Sequence, residues 1–333
     1  MDRLSQHQAD SEKVITELKS KLLLSQQDFK RSAEESGRLN SECQKLKTEL
    51  QYVKTESKSL QNQLQSKVSD ISELTKRLDR LTSKLTTFSP FSLDSQNKEL
   101  YETCLGGSGS VSFSGKGIDD EGATVIAEAL KVNSALTQIN LYDNSIGVRG
   151  VTAIAEALKV NSKLNQINLY SNSIGAQGAT ALAEALKVNS ALTGIFLGKN
   201  SIGDQGAIAI ADALKVNSTL TGIDLRFNSI SDQGANGIFA ALRINSTLAK
   251  INLYRNSIGA QGATAIAEAL KVNSTLSSID LGNNSIGDQG ATIISEALKV
   301  NSGLIKIDLG NNSIGDQVKQ QLKSDAGKRK IGV

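Results

Sequence analysis

The sequence predicts an α/β solenoid of repeated strand–turn–helix units carried behind a long α-helical coiled coil. Three observations predict it. An apolar heptad runs without interruption from Leu4 to Phe88. The tetrapeptide Lys-Val-Asn-Ser then returns on a 28-residue period, with Asn at 133, 161, 189, 217, 273 and 301. Arg243-Ile244-Asn245-Ser246 fills the one remaining slot. Inside each unit the apolar period switches from two to 3.6, which is strand followed by helix.

Composition sets the limits. Of 333 residues, 21% are charged and 39% hydrophobic, as in a globular chain. With no Trp and 4% aromatics, many small units suit it better than one large core. Residues 1–88 hold 16 Lys/Arg against 13 Asp/Glu, and residues 89–333 hold 21 against 21. That leaves no basic field for nucleic acid or an anionic membrane. No apolar run approaches the roughly 18 residues of a transmembrane helix. The N-terminus lacks the apolar centre of a signal peptide. Cys43 and Cys104 lie in different segments and form no disulfide or metal pattern. A reducing, cytoplasmic setting is expected, in which the sequons at Asn217, Asn245, Asn273, Asn283 and Asn311 are by-products of the repeat.

Residues 1–88 read as a coiled coil. Sixteen of 21 core positions are apolar, including Ile15, Leu50, Leu64, Ile71 and Leu78 at a and Leu18, Leu46, Val53, Leu60 and Leu74 at d. Such a stripe left in water is costly, so a partner helix is expected. The frame predicts one rod of roughly 105 Å over residues 15–85, at about 1.5 Å per residue. A parallel homodimer through residues 4–88 is favoured, because it sets Glu42 against Lys47 and Glu49 against Lys54. Cys43 would face its mate there as a small core residue. Ser25, Ser32 and Ser36 weaken the seam around Phe29. Lys67 interrupts it later and is expected to snorkel.

Residues 89–107 read as a linker and a capping helix over Asp94–Cys104. Residues 108–325 carry the repeats. One unit reads Leu136-x-x-Ile139-x-Leu141-x-x-Asn144-x-Ile146-Gly147, followed by a helix through Ile154, Ala155 and Leu158. These positions, and again Leu276, Ile279, Leu281, Asn284 and Ile286, meet the pattern LxxLxLxxNxL. In this the chain resembles leucine-rich repeats of the ribonuclease-inhibitor class. Similar repeats occur in NOD-like receptors, Ran GTPase-activating proteins and tropomodulins. The resemblance implies a right-handed horseshoe with the parallel sheet inside and the helices outside.

The remaining columns have expected roles. Asn144, Asn172, Asn200, Asn228, Asn256, Asn284 and Asn312 would bond to the backbone of neighbouring turns. Gly147 and its equivalents would serve a turn with φ > 0 or a close backbone approach, with Ser231 the one replacement. Val111, Phe113 and Ile118 open the stack. A polar helix with Gln320, Gln321 and Lys323 closes it, and residues 326–333 follow as a loose basic tail.

Catalytic, cofactor and metal residues are not expected: the repeats hold no His, and their carboxylates recur in several copies as frame. The columns that differ from copy to copy are the solvent-facing strand slots. There Tyr142, Tyr170, Phe196, Lys199, Arg226, Phe227, Tyr254 and Arg255 are the candidate protein-binding residues of the concave face, by residue type. The expected function is a non-enzymatic interaction scaffold, multiplied by the coiled coil. The family likenesses also admit a regulator of a small GTPase or a cytoskeletal binding protein.

Overall fold

A computed structural model describes residues 2–29, 36–85 and 94–333, with side chains placed for 8–21, 44–69, 71–75 and 94–333. The chain divides into two units, Met1–Ser89 and Pro90–Val333.

The first unit holds two helices, α1 (Asp2–Phe29) and α2 (Ser36–Leu85), which pack on each other. The six residues between them span at most about 25 Å. That reach is too short for a parallel return alongside a helix of 28 residues, so the pair is an antiparallel hairpin. Accordingly, Val14 and Leu18 share a cavity wall with Thr48, Glu49, Tyr52 and Val53. The single rod predicted over residues 15–85 is therefore corrected to two helices. Their junction falls where three of four seam positions are serine: Ser25, Ser32 and Ser36 around Phe29. The heptad itself survives the correction. Among the described side chains, every half-buried residue of the hairpin is an a or d position: Gln8, Ser11, Ile15 and Leu18 on α1, and Leu46, Leu50, Val53, Ser57, Leu60 and Leu64 on α2. The seam is thus covered by the chain's own α1 as far as Leu64. Beyond it, Lys67, Ile71 and Leu74 are exposed. A parallel dimer over residues 4–88 would require the hairpin to open. Cys43 and its expected mate lie outside the described side chains.

The second unit begins with α3 (Ser95–Gly106), the predicted cap, whose N-terminal amide at Asn97 donates to Asp94. The repeats follow as β1 (Gly109–Ser112), α4 (Asp120–Val132), β2 (Leu136–Asn140), α5 (Val148–Val160), β3 (Gln166–Asn168), α6 (Gly175–Leu186), β4 (Gly194–Phe196) and α7 (Gly203–Leu214). They continue as β5 (Gly222–Asp224), α8 (Asp232–Leu242), β6 (Lys250–Asn252), α9 (Ala260–Val272), β7 (Ser278–Asp280), α10 (Gly287–Val300), β8 (Lys306–Asp308), α11 (Asp316–Ala326) and β9 (Lys330–Gly332). The strands form one nine-stranded parallel sheet in sequence order, and each helix packs on the next. This is the expected solenoid. Every strand is extended by its neighbour in an unbroken 28-residue register from β2 to β8, as in Ile139↔Ile167↔Ile195↔Ile223.

The core is a column stack of Leu and Ile from the strands against Ala, Ile and Leu from the helices, nearly all fully buried. Small Ala lets each helix sit close to the sheet, and the repetition carries the same packing forward from unit to unit. Two amide ladders run through it. The predicted one holds: Asn200 Nδ2 donates to Leu169 O at 2.8 Å, one repeat back, and to Leu197 O at 3.1 Å. A second ladder uses the Asn of the tetrapeptide. Asn217 Nδ2 donates to Leu186 O at 2.7 Å, while its Oδ1 accepts from Leu220 N at 2.8 Å. Each buried amide satisfies backbone groups that no regular ladder reaches.

The turn glycines divide into two kinds. Gly175, Gly203 and Gly287 have φ of 64, 61 and 62°, and donate to the carbonyl of Asn in the following unit. Gly147, Ser231, Gly259 and Gly315 are extended instead. Their amides donate to Asp120, Asp204, Asp232 and Asp288 of the preceding unit, at 2.6–2.7 Å. For the left-handed glycines the positions equivalent to those Asp are Val148, Ala176 and Ala260. An Asp one unit back therefore selects the extended turn. This explains why Ser231 is accommodated: Asp204 also takes its hydroxyl, at 2.6 Å.

Residues 326–333 are not a loose tail. Arg329 donates to Leu304 O at 3.1 Å, to Ala326 O and to Asn301 O, and Lys330–Gly332 adds the last strand, β9. These groups take over bonds that a further repeat would have made, so the segment closes the solenoid. Among the described residues no helix is long and apolar enough to cross a membrane.

Candidate protein-binding face

The sheet face turned away from the helices carries the side chains that alternate with the buried Ile and Leu. Four columns run across it. Strand register places Asn140, Asn168, Phe196, Asp224, Asn252, Asp280 and Asp308 side by side, and likewise Gln138, Gln166, Gly194, Gly222, Lys250, Ser278 and Lys306. The other two columns begin at Tyr142 and Asp143.

Two of these columns obey backbone rules. In the first, the side-chain oxygen accepts from the amide two residues on: Asn168 from Tyr170 at 3.0 Å, Asp224 from Arg226 at 3.0 Å, Asp280 from Gly282 at 3.0 Å. Asn and Asp here form Asx turns, so their recurrence is frame and not a binding preference. Phe196 breaks the rule, having no acceptor to offer. In the fourth column every residue is left-handed: Asp143, Ser171, Lys199, Phe227, Arg255, Asn283 and Asn311 have φ of 54–57°. Asn tolerates that conformation and bulky residues do not. Lys199, Phe227 and Arg255 break this second rule.

The aromatic candidates gather into two clusters. Tyr142 and Tyr170 stack at 5.4 Å between centroids and 17° between planes. Arg226 Cζ lies 4.9 Å from the Tyr170 ring centroid. Gly198, on the unit between them, makes this reach possible: a Cβ there would meet Tyr170 Cδ2 at 2.5 Å and Arg226 Cγ at 2.9 Å. With Asn168 and Phe196 these residues line a cavity of about 400 Å³. In the second cluster, Phe227 meets Tyr254 at 5.6 Å, and Arg255 Cζ stands 5.3 Å over Phe227. Lys199 is exposed, on the unit between Tyr170 and Phe227.

A further cavity, of about 540 Å³, opens where Gly194 and Gly222 leave the sheet bare, and Phe196, Arg226, Lys250 and Lys306 are among its walls. Lys250 and Lys306 were not among the residues expected from sequence. The signal was present, since they stand two residues before the Asn140 column and a strand repeats its face every two residues.

Electrostatically the carboxylates of Asp224 and Asp280 are held at the floor. Asp224 is buried, and its Oδ2 is 2.8 Å from Arg226 Nε. Burial pushes its carboxyl above the usual carboxylate range, while the Arg226 amide and guanidinium pull it back. Burial also raises Asp280; the Gly282 amide opposes this, and nearby Asp308 adds to it. Among the described residues no His, Cys, Asp and Glu cluster could hold a metal ion.

A leucine-rich-repeat family model matches residues 160–183, 192–211, 216–239 and 272–295. Those residues are leucine-rich repeats, and the second unit is a solenoid of the kind that such repeats build. No curated protein sequence matches it significantly. Similar solved structures include actin-binding site 2 of leiomodin-1, with a TM-score of 0.37 and 21% identity over 54% of this chain and 88% of that one. Another is a Caenorhabditis elegans tropomodulin C-terminal domain, with a TM-score of 0.37 and 13% identity over 54% and 92%.

Proposed function

We propose that the protein is a non-enzymatic interaction scaffold. It binds a protein partner on the open sheet face through Tyr142, Tyr170, Phe196, Lys199, Arg226, Phe227, Tyr254 and Arg255. One observation carries this reading: Phe196, Lys199, Phe227 and Arg255 each violate a backbone rule that other copies of the same slot obey. A side chain held left-handed costs on the order of 1–2 kcal/mol. Neutral change on a tolerant surface favours the cheaper Asn, as at Asn283 and Asn311. Bulky, charged or aromatic residues retained at a cost are what a binding surface requires.

Multiplication of this face is assigned to the part of α2 that α1 does not cover. Ile71 and Leu74 are 42% and 60% exposed on the seam. Pairing that stretch with a second copy removes them from water and gives two faces to one assembly.

The test uses the intact chain as bait in lysate of the source cell, beside Tyr170→Ala/Phe227→Ala and a helix-face control, Glu156→Ala. A partner held by the wild type and the control but lost from the double variant is expected. Equal capture by all three would remove the sheet face from the reading. Light scattering tests the second part: a dimer or larger that becomes monomeric in Ile71→Asp/Leu74→Asp is expected, and a monomeric wild type would overturn it.

A further inference from the structure

The open face carries nine charged side chains in its four columns, and they are displayed unequally. Each carboxylate is engaged at the level of the sheet. Asp224 accepts from Arg226 N, Asp280 from Gly282 N, Asp308 from Gly310 N at 2.9 Å, and Asp143 from Ser171 Oγ at 2.9 Å. The cations reach outward. Lys199, Lys250, Arg255 and Lys306 are exposed, and among the described residues none makes an ion pair. Arg226 holds Nε against Asp224 and lays its guanidinium over Tyr170, at the wall of the aromatic cavity. Asp143 is exposed beside Tyr142; from β4 to β8, where the carboxylates Asp224, Asp280 and Asp308 are buried or half-buried, a partner meets exposed positive charge before carboxylate.

The cavity adds a second requirement. Tyr142, Asn168, Tyr170 and Phe196 line an open hollow of about 400 Å³, room for one large side chain, beside a single cation, Arg226. An incoming cation is disfavoured there, because Arg226 already occupies the face of the Tyr170 ring. We infer that the occupant is an acidic peptide segment of a protein partner, anchored by one aromatic or large aliphatic side chain in the Tyr142–Tyr170–Phe196 cavity. Its carboxylates follow the anchor along the sheet from β4 to β8, meeting Lys199, Arg226 and Arg255 along one edge of the face and Lys250 and Lys306 along the other. Nucleic acid fits less well: the 21 Lys/Arg of residues 89–333 are matched by 21 Asp/Glu, so the cations form a local stripe rather than a field for a phosphate backbone. The inference rests on the proposal that this face binds protein, and adds the chemistry of what it binds.

Fluorescence anisotropy tests it on the full chain. The probes are a fluorescein-labelled nonapeptide of Asp and Glu with a central Phe, the same peptide with Ser for Phe, its Lys/Arg twin, and an oligo-dT. The acidic Phe peptide is expected to bind at least about tenfold more tightly than the other three, and to weaken as salt rises. Lys199→Glu/Arg255→Glu is expected to weaken it by about tenfold. Tyr170→Ala should bring the Phe and Ser peptides to the same affinity. All these residues are on the surface, and unchanged circular dichroism establishes that the variants fold. Equal binding of the basic twin, displacement by oligo-dT, indifference to the charge reversal, or no binding of the acidic peptide overturns the inference. Should the lysate partner be lost from Tyr170→Ala/Phe227→Ala while the acidic peptide is ignored, the face still binds protein and only the partner's chemistry is wrong.

Discussion

Replacing Asp204 by alanine removes the acceptor of three hydrogen bonds: from Ser231 N at 2.7 Å, Ser231 Oγ at 2.6 Å and Gly234 N at 3.0 Å. A hydrogen bond to a charged group is worth about 1.5–3 kcal/mol, and three on one carboxylate overlap rather than add. Asp204→Ala is therefore expected to destabilise by about 3 kcal/mol. Ser231→Gly alone loses only the hydroxyl contacts and some chain entropy, about 1 kcal/mol. The double variant differs from both. A glycine in place of Ser231 can turn left-handed, as Gly203 does behind Ala176. It can then donate to the carbonyl of Asn256 as Gly203 donates to Asn228 at 2.9 Å. The loss should be about 1–2 kcal/mol, less than that of Asp204→Ala by itself. Urea unfolding followed by circular dichroism gives the three values, and amide exchange at residues 230–234 localises the change. Simple additivity, with a double variant near about 4 kcal/mol, would refute the claim that an Asp one unit back selects the turn.

Three other outcomes are expected. Phe227→Asn should stabilise the chain by about 1 kcal/mol, because Asn tolerates φ of 56°, while capture of the partner falls; a loss of stability would contradict the left-handed cost. The Cys104 thiol, pushed up to about 12 by burial, should resist iodoacetamide at pH 8 in a Cys43→Ser background until α3 detaches, so fast alkylation of folded protein would place it elsewhere. For Asp224 the folded-state value is raised, so the stability tied to its protonation is complete below the ordinary carboxylate value and lost as pH rises through the folded one. Asp224→Asn, the residue already present at 140, 168 and 252, should flatten that part of the pH profile, and an NMR titration of Arg226→Ala should show Asp224 higher still.

The repeat, its strand and helix and the first amide ladder were all legible, because each depends on a column of identical residues at a fixed period; the N-terminal cap was legible as a helix slot that departs from the consensus. The seam on residues 1–88 was legible as well, but not what covers it. Heptads state that a stripe must be buried, and an antiparallel return of α2 on α1 buries it as far as Leu64 just as a second chain would. The rules at the Asn140 and Asp143 columns escaped for a different reason. An Asx turn and a left-handed φ are properties of backbone geometry, and a column of Asn, Asp and Ser looks merely polar until that geometry is known. The closing strand at Lys330–Gly332 is three residues long, too short for any periodicity, and Arg329 declares its role only through the carbonyls it reaches.

Near-identical units invite copying, and the pairing of turn and carboxylate sets a grammar for it. A unit that opens with Gly can follow any other, since glycine adopts either form of the turn. The unit that opens with Ser231 can follow only one whose own turn is followed by Asp. Were residues 204–231 excised, Gly203 would run into Asp232 with Ala176 still one unit behind it, and the junction would read correctly. Were residues 203–230 excised instead, Ala176 would stand one unit behind Ser231, and the new joint would carry an amide with no acceptor. The lineage of such a solenoid can lengthen or shorten in whole units, but not at every joint.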